Sequence, residues 1–231
     1  MKKFLACVFI LAVFTGIIFY LGWTQYRVKP DSIGIVVSKT NGVDDKPVLN
    51  GKFAWHWQFL LPTNATLKTF QIKPVSIQKT ITGTLPSGEA YAALYNAEKL
   101  FDYSFTFDIQ LTVSPEAVVE LMQQNKITDD KDLTVYLEGA AGTLAQHAAA
   151  YILNRAETNS SSNTAFRTEA LRREEILRGI QIYKDFPELD VTVFSIQNSK
   201  LPDFNMYKRI TSQQPDYGIK PAEEMLQAEE L

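Results

Sequence analysis

The chain has 231 residues, with 26 acidic against 23 basic side chains, a formal net charge of −3 at pH 7 and one cysteine. With no basic excess to neutralise phosphates, nucleic acid is not an expected partner, and the lone Cys7 excludes an internal disulfide framework. The roughly two hundred residues beyond the first apolar segment suffice for one or two packed domains.

Met1-Lys2-Lys3 is followed by Phe4 to Tyr20 without a charged side chain. Phe4 to Trp23 would make a helix of about 30 Å, the thickness of a bilayer's hydrocarbon core, which predicts a single-pass anchor over residues 1–25. A basic start before an apolar run also describes a secretory signal peptide. Such runs usually span about 7–15 residues and end at small side chains, whereas this one is longer and exits through Tyr20, Trp23 and Tyr26, the kind of residue that sits at a lipid–water boundary. Leu5-Ala6-Cys7 has too few apolar residues ahead of it for a lipobox. Gly16 and Gly22 read as positions where leucine leaves anchoring intact. Arg27 and Lys29 roughly balance the N-terminal charges, but a short basic N-terminus favours N-in insertion, with the remaining chain extracytoplasmic and periplasmic in a double-membraned bacterium.

Strand signals come next. Ile33, Ile35 and Val37 alternate, Asn41-Gly42 has turn chemistry, and Phe53, Trp55, Trp57 and Phe59 alternate before Pro62. Spacing of two predicts that these aromatics face a core; a sugar- or ligand-stacking platform is the alternative. Leu67 to Ile77 adds a strand broken at Pro74. The clearest signal is Phe101 to Val113, apolar at every odd position and polar at every even one, a half-buried strand of an antiparallel sheet that Ser114-Pro115 ends.

The period then changes. Leu133, Leu137, Leu144, Ala148, Tyr151 and Ile152 share a helical side, with Thr128 or Asp129 as N-cap and alanines that keep the helix slim. Asn159 to Asn163 reads as a loop, Thr164 to Tyr183 as a more charged helix, and Leu189 to Ile196 as a closing strand. The order predicts an α+β fold with an antiparallel twisted sheet and packed helices. Residues 26–210 form the domain, and residues 211–231 a mobile acidic tail with Pro215 and Pro221.

Catalytic parts are scarce. His56 and His147 lack metal-ligand neighbours at helical spacing, and no nucleophile elbow, P-loop or dinucleotide fingerprint occurs. Gly83 to Gly88 is turn-rich without phosphate-loop spacing. Asp129-Asp130-Lys131-Asp132 lacks the Gly and Glu of a calcium loop and suits an acidic helix start instead. Asn64-Ala65-Thr66 and Asn159-Ser160-Ser161 matter as glycosylation acceptors only in a eukaryotic secretory host. No catalytic, cofactor or metal residue is assigned, and the expected role is non-enzymatic.

One apolar segment, then Val28 to Val37, then Leu49-Asn50-Gly51-Lys52-Phe53-Ala54-Trp55-His56-Trp57 leading to Leu61-Pro62, resembles the opening of the SPFH or band 7 family of stomatins, prohibitins, flotillins and bacterial membrane-protease regulators. The Phe101 to Val113 strand running into Pro115-Glu116 is similar to that family's long strand and helix start. Leu189 to Ile196 followed by Leu201 to Tyr207 is similar to its last strand and helix. The resemblance spans roughly residues 1–210 and implies an oligomer of homo- or hetero-type with SPFH-type subunits. It also implies a scaffold or modulator that organises membrane patches or controls a membrane-bound AAA protease. Two departures stand out: the family's long C-terminal ring-building helix has little chain left to form it, and Gly83 to Glu98 does not match. The alternative is an anchored extracytoplasmic module binding lipid or envelope material on the Trp55 and Trp57 side. Pro202 is expected in a first helical turn, with Asp203 at the positive end of the dipole and Phe204 and Tyr207 sharing a face. The expected role is a capped helix docking back on the sheet; the alternative is a subunit contact formed by Leu201, Pro202, Asp203, Phe204 and Tyr207.

Overall fold

A computed structural model describes residues 2–95, 99–160, 166–168, 171–180 and 182–213. The fold is α+β, with an N-terminal apolar helix and antiparallel sheets. The contacts separate two compact units: residues 1–75, 111–139 and 188–190, and residues 76–110, 140–187 and 191–231.

The first unit begins with α1 (Lys2–Gly22), the one helix among the described residues long and apolar enough to cross a membrane, a property a signal sequence shares. Its sheet is built on β1 (Ser32–Ser38), paired antiparallel with β4 (Ala65–Gln71) along its full length, from Ser32 opposite Gln71 to Ser38 opposite Ala65. β1 also pairs with β2 (Gly42–Val43) and β3 (Val48–Leu49). Simple alternation gives way here to burial on both faces, as a central strand requires. Ile33 and Ile35 are fully buried, while Val36 joins Val28 and Val48 in a cluster packed by Ala54, Phe59, Ala65 and Leu67. Gly34 has no room for a Cβ, which would come within 2.8 Å of Leu67 and 2.9 Å of Val28.

Helix starts in this unit follow their caps. The Ser114 hydroxyl accepts from the Ala117 amide at 3.1 Å to start α3 (Pro115–Gln123). Asp129 Oδ1 accepts from the amides of Lys131 and Asp132 at the start of α4 (Asp130–Asn159), and the Asp132 carboxylate accepts from the Thr128 amide. The acidic run is therefore a helix start, and Asp130 also accepts from the Gln71 amide at 2.7 Å at the end of β4. Glu188, almost fully buried, takes the Tyr136 hydroxyl and, at 3.3 Å, the Lys126 ammonium. Burial opposes its ionisation, but these bonds together with a backbone one outweigh it and hold the carboxyl below its usual range.

In the second unit the sheet order is β5 (Val75–Thr84), β6 (Asp102–Val113), β7 (Leu189–Lys200). Side-chain pairs on the polar face, Ser76 with Asp108, Thr80 with Thr106 and Thr84 with Asp102, run in opposite senses and mark β5 and β6 as antiparallel. Phe105, Phe107 and Ile109 are fully buried on the other face, so the alternation in β6 reports one-sided burial. In β7 the buried positions Val191 and Phe194 lie three apart, a one-residue phase shift of the kind a bulge introduces. Leu144, Ala145, Ala148, Ala149 and Ile152 of α4 are buried, and α5 (Arg173–Ile180) approaches so closely that a Cβ on Gly179 would fall within the Tyr151 ring.

Several expectations are corrected. Residues 53–59 do not form a strand with buried aromatics: only Trp55 makes an isolated bridge, and Trp57–Leu60 is a 3₁₀ turn, because this segment caps a helix end rather than joining a sheet. The break expected at Pro74 within Leu67 to Ile77 does separate β4 from β5, but β5 runs on to Thr84. The loop expected at Gly83 to Gly88 passes into α2 (Gly88–Leu94). Of the helix expected over Thr164 to Tyr183, the described residues show α5 and α6 (Ile182–Asp185), with Phe166, Arg167, Leu171 and Arg172 outside any helix; residues 161–165, 169–170 and 181 lie outside the described residues. β7 runs four residues past Ile196. Pro202 precedes α7 (Phe204–Gln213) rather than entering its first turn, because Asp203 is the cap, accepting from the Met206 amide at 2.9 Å. The acidic stretch after Gln213, with Pro215 and Pro221, lies outside the described residues.

One-sided burial in β6 makes a prediction. Phe105→Asp or Phe107→Asp puts a carboxylate in a fully buried site and should abolish cooperative unfolding, whereas Thr106→Asp, on the polar face, should lower the melting temperature by only a few degrees, about 1 kcal/mol. Equal losses in circular-dichroism melts of all three would contradict it.

Candidate membrane interface

Where α1 ends, the Trp23 amide still donates to the Phe19 carbonyl at 3.1 Å, and beyond it the chain leaves the helix. The segment Phe53–Leu60 adds further partners there. The Trp55 indole Nε1 donates to the Phe19 carbonyl at 3.2 Å, and the His56 amide donates to the Gly22 carbonyl at 2.8 Å. In return the Thr24 amide and hydroxyl donate to the Ala54 carbonyl at 3.0 and 3.2 Å, and Trp23 forms an antiparallel bridge with Trp55. Rings continue the contact. Phe53 stacks on Phe19 with centroids 5.9 Å apart and lies 6.5 Å from Trp23, while the Arg27 guanidinium sits 5.1 Å over Phe59. Gly22 is a necessity of this approach, since a Cβ there would fall within the Trp55 indole; around Gly16 nothing lies within 4 Å.

The docked segment is exposed on its outer side: Phe53 at 63%, Trp55 at 37%, Trp57 at 46% and Leu61 at 46%. This is an aromatic collar around a helix end. All three tryptophans of the chain, Trp23, Trp55 and Trp57, belong to it.

His56 fixes the collar from inside. Its Nδ1 lies 2.9 Å from the Thr24 hydroxyl and its Nε2 3.5 Å from the Asp44 carboxylate. Burial lowers its pKa below 6.5 and outweighs the opposing pull of the Asp44 charge, so the ring is neutral at pH 7. His147 is an exposed residue 3.8 Å from Asp185. No group of three metal-ligating side chains occurs among the described residues.

The residues proposed from sequence as a subunit contact come together at the start of α7. Phe204 is buried, and Tyr207 makes edge contacts with Phe101 and Tyr91 and donates its hydroxyl to the Pro86 carbonyl at 2.9 Å. The Asp203 amide donates to the Leu100 carbonyl. These contacts dock α7 within its own unit. A groove of about 730 Å³ in the same unit is lined by Thr82, Glu89, Lys99, Tyr103 and Ser104, among others. Within its lining the Lys200 ammonium donates to the Lys99 carbonyl and the Thr84 hydroxyl to Asp102. Sequence reasoning noticed the aromatics at 53–59 but missed the collar, and the sequence carries no local signal for it: residues 46–88 lack any carboxylate, so its absence from 50–62 marks nothing special.

No family model matches the chain. A protein of Treponema pallidum (strain Nichols), described as an uncharacterized protein, is 24% identical over 187 residues, which cover 80% of this chain and 62% of the relative. The chain thus spans less than two thirds of the relative it matches.

Two predictions test the collar. Gly22→Ala should displace Trp55, shift tryptophan emission to the red and cost about 1–3 kcal/mol, while Gly16→Ala changes neither; identical spectra for both would contradict the contact. For His56 the folded pKa is depressed, so its contribution to stability is complete above pH 6.5 and lost as pH falls through the folded value. The melting-temperature advantage of the natural protein over His56→Gln should therefore shrink from about pH 7.5 to about pH 5. A growing advantage would reverse the assignment.

Proposed function

We propose that the chain is a single-pass membrane protein, anchored by α1, that acts as a non-catalytic scaffold or modulator at the bilayer surface. The observation that carries this is the collar. Phe53 stacks on Phe19, three residues inside the helix end, or about 4.5 Å along the axis, so a membrane-crossing α1 holds Phe53 and Trp55 at headgroup depth. Aromatic side chains with one apolar and one wet side suit that zone. A cleaved signal sequence would instead lose Phe19 and Gly22, leaving Phe53, Trp55 and the His56 amide without their partners.

An SPFH-type role, organising membrane patches or controlling access to a membrane-bound protease together with related subunits, is supported by the resemblance of the residues quoted above. It draws further support from the order in which β1, β6, α3, β7 and α7 follow the apolar helix. The second reading, an extracytoplasmic lipid- or envelope-binding module, gains from the exposure of Trp55 and Trp57, which a buried pair would have opposed. An N-terminus on the cytoplasmic side remains part of the proposal.

The test is carbonate extraction of membranes expressing the full chain, with intact mass of the extracted protein and in-cell cross-linking. The proposal expects retention of residues 1–25, resistance to carbonate and cross-linked species larger than a monomer. A mature N-terminus near residue 25 would overturn the anchor, and a monomer alone would overturn the scaffold.

A further inference from the structure

The rim of the collar is charged with one sign. Residues 22–30 and 50–62 together contain Arg27, Lys29 and Lys52 and no carboxylate. The two stretches are held side by side by the Asn50 side-chain amide, which donates to the Val28 carbonyl at 2.7 Å, and by the Thr24 to Ala54 bonds. Lys29 and Lys52 are exposed, and Arg27 is fixed over Phe59 beside the exposed aromatics. The neighbouring carboxylates face other groups: Asp31 pairs with Lys73 at 3.4 Å, and Asp44 faces His56 and takes the Lys46 amide.

Building on the membrane seating argued above, we infer that this rim is a binding surface for anionic phospholipid headgroups. Lys29 and Lys52 recruit the phosphates, and Phe53, Trp55, Trp57 and Leu61 enter the adjoining acyl boundary. Charge and apolar area act together here. Each of the three cations gains affinity from the negative surface potential of a leaflet that carries anionic lipid, and the exposed rings fix how deep the rim sits, so the cations stay within a Debye length of the headgroups. The protein would then gather anionic lipid around its own anchor. That is a lipid selectivity, beyond mere insertion, and it gives a patch-organising protein something to organise.

The three tryptophans make the test direct, because intrinsic fluorescence reads the collar alone. The full chain is reconstituted into vesicles of phosphatidylcholine with about one-fifth phosphatidylglycerol, and bromine is carried on the acyl chains of one lipid or the other. Quenching by the brominated anionic lipid should exceed its mole-fraction share by about threefold or more and fall toward that share as salt rises. Lys29→Gln with Lys52→Gln should return it to the share, while quenching by brominated phosphatidylcholine and the melting temperature stay unchanged. Quenching in proportion to composition for the natural protein, or enrichment that survives in the double variant, would overturn the lipid selectivity and leave the seating intact. Absence of quenching by either lipid would overturn both.

Discussion

The first unit is organised around the C-terminal end of α1, where a segment from far along the chain docks on the last helical turn. The Trp55 indole and the His56 amide take the Phe19 and Gly22 carbonyls. Because the donors come from residues thirty-odd positions later, the intervening chain must return to the helix end. β1 to β3 and their turns form that return, and the Asn50 bond to Val28 closes it. Gly22 and Gly34 stand where backbone or ring must come closest. A segment that looks like a strand by spacing is therefore used as a cap.

Capping has a consequence for function. The side of the 53–61 segment that does not face the helix is left exposed and aromatic, beside an apolar helix and next to three cations. In water that surface would be a liability; at a bilayer it is a seat. His56 adds a condition, since its bond to Thr24 belongs to a neutral, largely buried ring, and acid acts on the lock rather than on the rings. The second unit, described by itself, has a one-sided sheet with a hydroxyl-rich polar face and a helix, α7, docked through Phe204 and Tyr207.

Much of the fold was legible because burial on one face leaves a period in the chain. β6 alternates over Phe105, Phe107 and Ile109, and the acidic start of α4 reads directly as a cap. β1 was harder, as burial on both faces erases the alternation. The aromatic series at 53–59 misled for a physical reason: rings spaced by two suit the buried face of a strand and a segment docked on a helix end equally well, and only the partner, here Phe19 and Gly22, tells them apart. The contact of Gly22 with Trp55 was not legible, because a close approach across more than thirty residues leaves no local mark. The phase shift in the burial of β7 likewise leaves no simple period, whereas the cap at Asp203, one residue after the expected proline, is a local contact with the Met206 amide.

Amide hydrogen exchange on the full chain in lipid nanodiscs tests the central contact most directly. The amides of His56 and Thr24, bonded to the Gly22 and Ala54 carbonyls, should exchange at least about a hundredfold more slowly than the turn amide of Gly51. Exchange of both at the rate of Gly51 would mean that the 53–60 segment does not cap the helix, and the account of the collar would fall with it.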